Sequence, residues 1–134
     1  VQEEVARRIT ATEKSPAKQY GLLTILSQFW ADCSIIRLVG RKSFYPAPKV
    51  NSALVSLNVR KEPLLKLGDY KHFRKTIKAA FSQRRKTLKN CLSGAGFDRD
   101  KVSRVIEKMG LDENIRGEKL SIKQLGELSE NLCD

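Results

Sequence analysis

Two stretches of this chain alternate in the manner of β-strands, Ser34 to Val39 and Val50 to Val59. In the second, Ala53, Val55, Leu57 and Val59 line one face, while Ser52, Ser56 and Asn58 share the other with Val50 and Leu54. A lone two-stranded hairpin is marginal in water. The pair must therefore pack hard on neighbouring helices or stand at the edge of a larger sheet. The connector from Gly40 to Lys49 contains Pro46 and Pro48, which stiffen it.

The rest of the pattern is helical. Val1, Val5 and Ile9 recur at helical spacing. From Tyr20 to Trp30 the apolar residues Leu22, Leu23, Ile25, Leu26, Phe29 and Trp30 cover much of a helix circumference, which predicts burial on more than one side. Beyond the connector Arg60 to Gly68, four helices are expected. Asp69 caps the first, whose apolar stripe is Tyr70, Phe73, Ile77 and Phe81. The second carries Leu88, Cys91, Leu92 and Ala95 inward. The third starts at Asp98, with Val102, Val105, Ile106 and Met109 inward and Gly110 as its stop. The fourth opens on the capping box Ser121-Ile122-Lys123-Gln124 and continues through Leu125, Leu128 and Leu132.

Charge separates these regions. The 134 residues include 26 Lys and Arg against 15 Asp and Glu, a net charge of +11. Eight basic residues and no acid lie between positions 71 and 97. A one-sign block of this kind suggests a polyanionic partner, nucleic acid or an acidic membrane. Lys71, Arg74, Lys75 and Lys78 form a stripe beside the apolar stripe of their helix, and Arg84, Arg85, Lys86 and Lys89 extend it without interruption. Arginine forks onto phosphate oxygens and lysine adds point charge, a mixture suited to an irregular RNA backbone. A lone charge run is more often a solvated helix face, but the two adjoining groups make one patch.

Phe44-Tyr45-Pro46-Ala47-Pro48-Lys49 is a second candidate, because an aromatic on a stiff loop can offer its face to an unstacked base. Residue type alone favours an aromatic anchoring the loop to the core. The single histidine, His72, reads as a surface residue with no obvious partner. No Gly-rich phosphate loop, HExxH, paired-carboxylate motif or Ser/His/Asp arrangement is visible, so no self-contained catalytic site or metal site is expected. Cys33, Cys91 and Cys133 are far apart and form no CxxC pair, which points to a reducing, cytoplasmic setting. No apolar run approaches a membrane span, and the first residues lack the apolar core of a signal peptide.

These motifs closely resemble one family, the small-subunit ribosomal RNA adenine-N6,N6-dimethyltransferases, relatives of the erythromycin-resistance methyltransferases. Gln2-Glu3-Glu4-Val5-Ala6-Arg7-Arg8 resembles the family's Q-x-E-V-A-x-R helix, and Tyr20-Gly21-Leu22-Leu23-Thr24 its Y-G-R-L-S segment. Ser43 to Ala53 resembles its F-x-P-x-P-K-V-D-S-A motif, and Arg116 to Ser121 its R-x-E-x-L-S. Phe81-Ser82-Gln83-Arg84-Arg85-Lys86-Thr87-Leu88 matches F-x-Q-R-R-K-T-L, the most specific of the set.

The resemblance implies an α/β plus all-α fold. Residues 1–66 would be the C-terminal part of a Rossmann-like class I methyltransferase domain, with the two strands as its final hairpin, and residues 67–134 a helical RNA-binding domain. The chain, which does not begin with Met, would be the C-terminal half of its protein. The S-adenosylmethionine loop, the acidic ribose-binding residue and the N-L-P-Y motif would lie before Val1, leaving no cofactor site here.

By the same resemblance, Phe44 stacks on the target adenine. Lys49, Lys71, Arg74, Lys75, Lys78, Arg84, Arg85, Lys86 and Lys89 would bind RNA. The implied partners are small-subunit ribosomal RNA and the assembling small subunit, with no membrane and no second copy of the chain. Two departures stand out, since Leu22 replaces the family's usual Arg and Asn51 its usual Asp. The rival readings are a non-catalytic RNA or ribosome-binding module, a large-subunit resistance methyltransferase and, weakest, an acidic-membrane binder.

Overall fold

A computed structural model describes residues 1–133. The chain forms two compact units, Val1–Leu64 and Leu65–Asp134. The first holds helix α1 (Glu3–Ile9), helix α2 (Leu22–Trp30) and an antiparallel pair of strands, β1 (Ala31–Val39) and β2 (Ser52–Val59). The second is helical, with α3 (Tyr70–Ala80), α4 (Leu88–Gly94), α5 (Arg99–Lys108) and α6 (Ile122–Leu132).

In α1, Glu3 and Glu4 occupy the first turn and Arg7 and Arg8 the last, the arrangement the helix dipole favours. Val1 is not part of this helix. It runs antiparallel to β2, where the Ala53 amide donates to its carbonyl at 2.7 Å and its ammonium donates to the Ala53 carbonyl at 3.0 Å. Side-chain bonds tie α2 to α1. The Thr24 hydroxyl donates to the Arg8 carbonyl, and Gln28 Nε2 donates to the Ile9 and Ala11 carbonyls at 2.9 and 2.8 Å.

The expectation that α2 is buried on several sides is only partly met. Thr24, Ile25 and Phe29 are buried, but Leu23 and Trp30 are exposed, because α1 and β1 cover only part of the helix. β1 begins immediately after α2, earlier than its apolar run suggested, because strand pairing recruits Ala31 to Cys33. Val50 and Asn51 belong to the loop rather than to β2. Register runs from Ala31 opposite Val59 to Val39 opposite Ser52, with an irregularity between Ile35 and Arg37. Ala53, Val55, Leu57 and Val59 share one face, as their alternation predicts, yet Leu54, Leu57 and Val59 are 56%, 53% and 81% exposed. This sheet is only partly covered within its own unit: Ala31 and Ala53 are buried, but Leu57 and Val59 are not.

The second unit is closed. Each helix has a side-chain N-cap: Asp69 accepts from the His72 amide, Thr87 from the Asn90 amide, Asp98 from the Asp100 and Lys101 amides, and Ser121 from the Gln124 amide. The Ser121 amide in turn donates to Gln124 Oε1 at 2.9 Å, completing the capping box. Phe73, Ile77, Leu88, Leu92, Val102, Leu120, Leu125 and Leu128 are fully buried. At about 1.5–3 kcal/mol for each such side chain, this set dominates the favourable side of the unit's folding.

Three details correct the sequence reading. Ala95 is exposed because α4 ends at Gly94 and Ala95 caps it, and Met109 is only half-buried because it caps α5. His72 is half-buried with its Nδ1 3.2 Å from the Oγ of Ser129, a buried residue on α6. That partner lies 57 positions away and has no local signal. Gly117 has a steric reason: a Cβ there would lie 2.9 Å from the Ala80 carbonyl oxygen, so the segment can approach the end of α3 only with glycine.

Candidate nucleic-acid interface

On α3 the basic stripe and the core stripe sit side by side. Phe73, Thr76 and Ile77 are buried, whereas Lys71, Arg74, Lys75 and Lys78 are exposed. Helical spacing of three and four residues puts the four cations on one face. Lys75 also meets an aromatic within the unit, its Nζ lying 5.3 Å from the centroid of the Phe97 ring.

The chain then leaves α3 into an exposed turn carrying Arg84, Arg85 and Lys86. This turn is anchored from below. The buried Cys91 thiol donates to the Gln83 carbonyl at 3.3 Å, the Lys86 amide donates to Gln83 at 3.3 Å, and the Leu88 amide donates to the Ile115 carbonyl at 2.7 Å. Fixing the backbone under the cations lowers the conformational entropy lost when they engage a ligand. Among the described residues, no ion pair engages Lys71, Arg74, Lys78, Arg85 or Lys86, so their charge is directed at solvent.

Lys89 differs. It is half-buried at the start of α4 and lines a cavity of about 460 Å³ with Ser103, Ile106, Glu107, Leu111 and Glu113. Two carboxylates share that cavity, so Lys89 does not face an acid-free field as the other cations do.

In the first unit every residue from Gly40 to Asn51 is exposed. Phe44 retains 47% of its surface to solvent and Tyr45 all of it. Phe44 is thus neither a core anchor nor wholly unsupported. Lys49 is exposed on the same loop, as are Arg41 and Lys42. The Arg41 amide donates to Asn51 Oδ1 at 3.0 Å, closing the loop across its base. Asn51 also accepts the Glu3 amide on its main-chain carbonyl at 3.0 Å. The substitution of Asn for the family's Asp therefore keeps an acceptor oxygen where the loop needs one, and Leu22 is half-buried at the start of α2.

The sequence marks the cations and Phe44 as candidates, and all but Lys89 and Phe44's covered half face solvent, but it does not mark Asn51, Cys91 and the Ile115 carbonyl as supports. Asn51 had a faint signal, a polar residue interrupting an apolar alternation just before a strand. The other two depend on long-range approach. Among the described residues no cluster of His, Cys, Asp and Glu could hold a metal ion, and no helix is long and apolar enough to cross a membrane.

The family model described as ribosomal RNA adenine dimethylase matches residues 1–134. A ribosomal RNA small subunit methyltransferase A from Clostridium botulinum is 39% identical over all 134 residues, which are 48% of that relative. One from Caldanaerobacter subterraneus is 41% identical over 132 residues, covering 98% of this chain and 48% of its own length. The chain spans about half the length of these curated relatives. A dimethyladenosine transferase from Plasmodium falciparum superposes with a TM-score of 0.75 at 23% identity, covering 95% of this chain and 53% of that one. The 23S rRNA methyltransferase ErmE gives a TM-score of 0.64 at 25% identity, covering 98% and 52%. These likenesses agree with the expected fold class, the end of a Rossmann-like methyltransferase sheet followed by a helical region.

Proposed function

The chain belongs to the ribosomal RNA adenine dimethylase family, and from that premise we propose that it is the C-terminal half of an S-adenosylmethionine-dependent enzyme that dimethylates adjacent adenines of small-subunit ribosomal RNA. In this reading Val1–Leu64 completes the methyltransferase domain and presents Phe44 to the target base. Leu65–Asp134 holds the RNA of the assembling subunit, in the cytoplasm and as one copy of the chain. The observation that carries it is the family match along the whole length, through both the aromatic loop and the Gln83 to Leu88 turn.

The exocyclic amine of adenine is a poor nucleophile because its lone pair is delocalised into the ring, and inside a duplex it is out of reach. An enzyme must extract the base, hold it flat and aim N6 at the methyl donor. Phe44, half-exposed on a loop tied at its base, supplies one flat surface. Lys49, Lys71, Arg74, Lys75, Lys78, Arg84, Arg85 and Lys86 supply exposed positive charge for the phosphate backbone, with Lys89 a lesser contributor beside Glu107 and Glu113.

S-adenosylmethionine does not fit the residues described. Gly21 and Gly40, the glycines of the first unit, stand apart with open space where a Cβ would be, and form no glycine-rich cradle. We place its site in the part of the relatives' length that this chain does not span.

The test is made on the whole protein. Phe44→Ala should lower kcat by about 100-fold while RNA affinity stays within about threefold, because orientation is lost and phosphate contacts are not. An unchanged kcat would refute the stacking role. Calorimetric binding of S-adenosylmethionine to residues 1–134 alone would refute the division of labour.

A further inference from the structure

We propose that Tyr45 is a second stacking platform, for the nucleotide next to the one held by Phe44, so that the loop from Gly40 to Asn51 grips at least two consecutive bases of an unpaired RNA strand. The inference rests on the proposed reading of Phe44 and extends it to a residue that reading does not use.

Tyr45 is fully exposed, more so than any other large apolar or aromatic side chain described. Rings of this size ordinarily bury much of their area, and a fully solvated one makes no contribution to the loop's own packing. Tyr45 therefore has no structural duty that would explain its exposure. It is also placed differently from Phe44. Phe44 keeps about half of its surface covered, whereas Tyr45 keeps none covered, and the chain bends from Phe44 through Pro46. The two rings thus stand in different surroundings on a bent segment, and Tyr45 is assigned the neighbouring base rather than the one on Phe44.

The surroundings define the ligand. Arg41, Lys42 and Lys49 are the charged residues of the loop, all basic and all exposed. An aromatic face among cations, with no acid on the loop, suits a single-stranded polynucleotide, whose bases stack and whose phosphates need neutralising. The phenol hydroxyl adds a donor and acceptor that can reach a 2′-hydroxyl or phosphate oxygen. An acidic membrane surface would use the same cations but would not require a flat ring that stands away from the apolar core.

The experiment measures binding of the whole protein to two probes, a single-stranded oligouridine RNA and the same RNA with one central adenine. Tyr45→Ala should weaken binding to both probes by about tenfold, leave the slope of log affinity against log salt unchanged, and keep the preference for the adenine probe. Tyr45→Phe should restore affinity to within about twofold, because the ring face carries the effect. Because the side chain has no packing role, both variants fold as the parent does. If Tyr45→Ala binds both probes as the parent does, the second platform is refuted, including the case in which the ring instead contacts a protein. If Tyr45→Leu binds as well as Tyr45→Phe, apolar contact rather than stacking is at work and the proposal fails. Phe44→Ala separates the two readings. It should abolish the adenine preference, and if it does not, the Phe44 reading fails while the Tyr45 result stands on its own.

Discussion

The two units solve the burial problem in different ways. The helical unit encloses a core of at least eight fully buried large side chains and caps every helix with a side chain. The first unit pairs two strands on two helices and leaves Leu54, Leu57 and Val59 in solvent. Each proposed RNA contact inherits the character of its unit. Arg84, Arg85 and Lys86 stand on a turn hydrogen-bonded to the core, whereas Phe44 and Tyr45 stand on an exposed loop tied by the Asn51 side chain. In the proposed reading, a turn tied to the core suits a sustained hold on the RNA backbone, and a loop with few ties suits a base that must enter and leave.

The largest expected effect tests whether the units differ in this way. Phe73→Ala removes a ring with no exposed surface and should cost the helical unit about 3–5 kcal/mol. Leu57→Ala in residues 1–134 should change stability by no more than roughly 0.5 kcal/mol, because that side chain is already half in water. Hydrogen exchange resolved by residue reads the two units separately, as a single unfolding midpoint for a two-unit chain would not. A cost for Leu57→Ala comparable to that for Phe73→Ala would erase the distinction.

Next in size is the charge on the anchored turn. Arg84→Ala/Arg85→Ala/Lys86→Ala should weaken RNA binding by at least about tenfold in moderate salt. It should also flatten the slope of log affinity against log salt by about 2 to 3, since each phosphate contact contributes roughly 0.9 on a duplex and 0.7 on a single strand. The matched change in the loop, Arg41→Ala/Lys42→Ala/Lys49→Ala, should flatten it less, because those residues lie outside the dense basic block. An equal effect from both would mean that RNA binding is spread over the two units and does not centre on the Gln83 to Leu88 turn.

Much of the helical unit is legible in the sequence because its determinants are local. Asp69, Asp98 and Ser121 cap within three residues as the sequence indicates, Thr87 caps α4 without having been singled out, and the stripe Phe73, Ile77 repeats with the helix. What the pattern hides is long-range. His72 finds Ser129 across the bundle, Leu88 finds Ile115, and Gly117 needs its missing Cβ because Ala80 is close, none of which leaves a periodic trace. In the first unit, alternation gave the strand faces correctly but not how much of them is covered, because coverage depends on what else packs there. The exposure of Phe44 and Tyr45 is hidden for the same reason: residue type favours burial for both rings.

The smallest effect concerns the Asn51 side-chain tie of the aromatic loop. Asn51→Leu removes the acceptor of the Arg41 amide and should free that end of the loop at a cost of about 1 kcal/mol. Asn51→Asp puts a carboxylate oxygen where the amide oxygen was and should leave protection of the Arg41 amide from exchange at least as strong, since a charged acceptor strengthens the bond. The pair separates two accounts of why this sequence departs from the family's usual Asp. If only the acceptor geometry is needed, Asn51→Asp behaves as the parent and Asn51→Leu loses both amide protection and adenine preference. If Asn51→Asp instead alters RNA binding while protection is unchanged, the neutral side chain is itself needed, because an added anion beside Arg41, Lys42 and Lys49 would oppose the phosphates those cations attract.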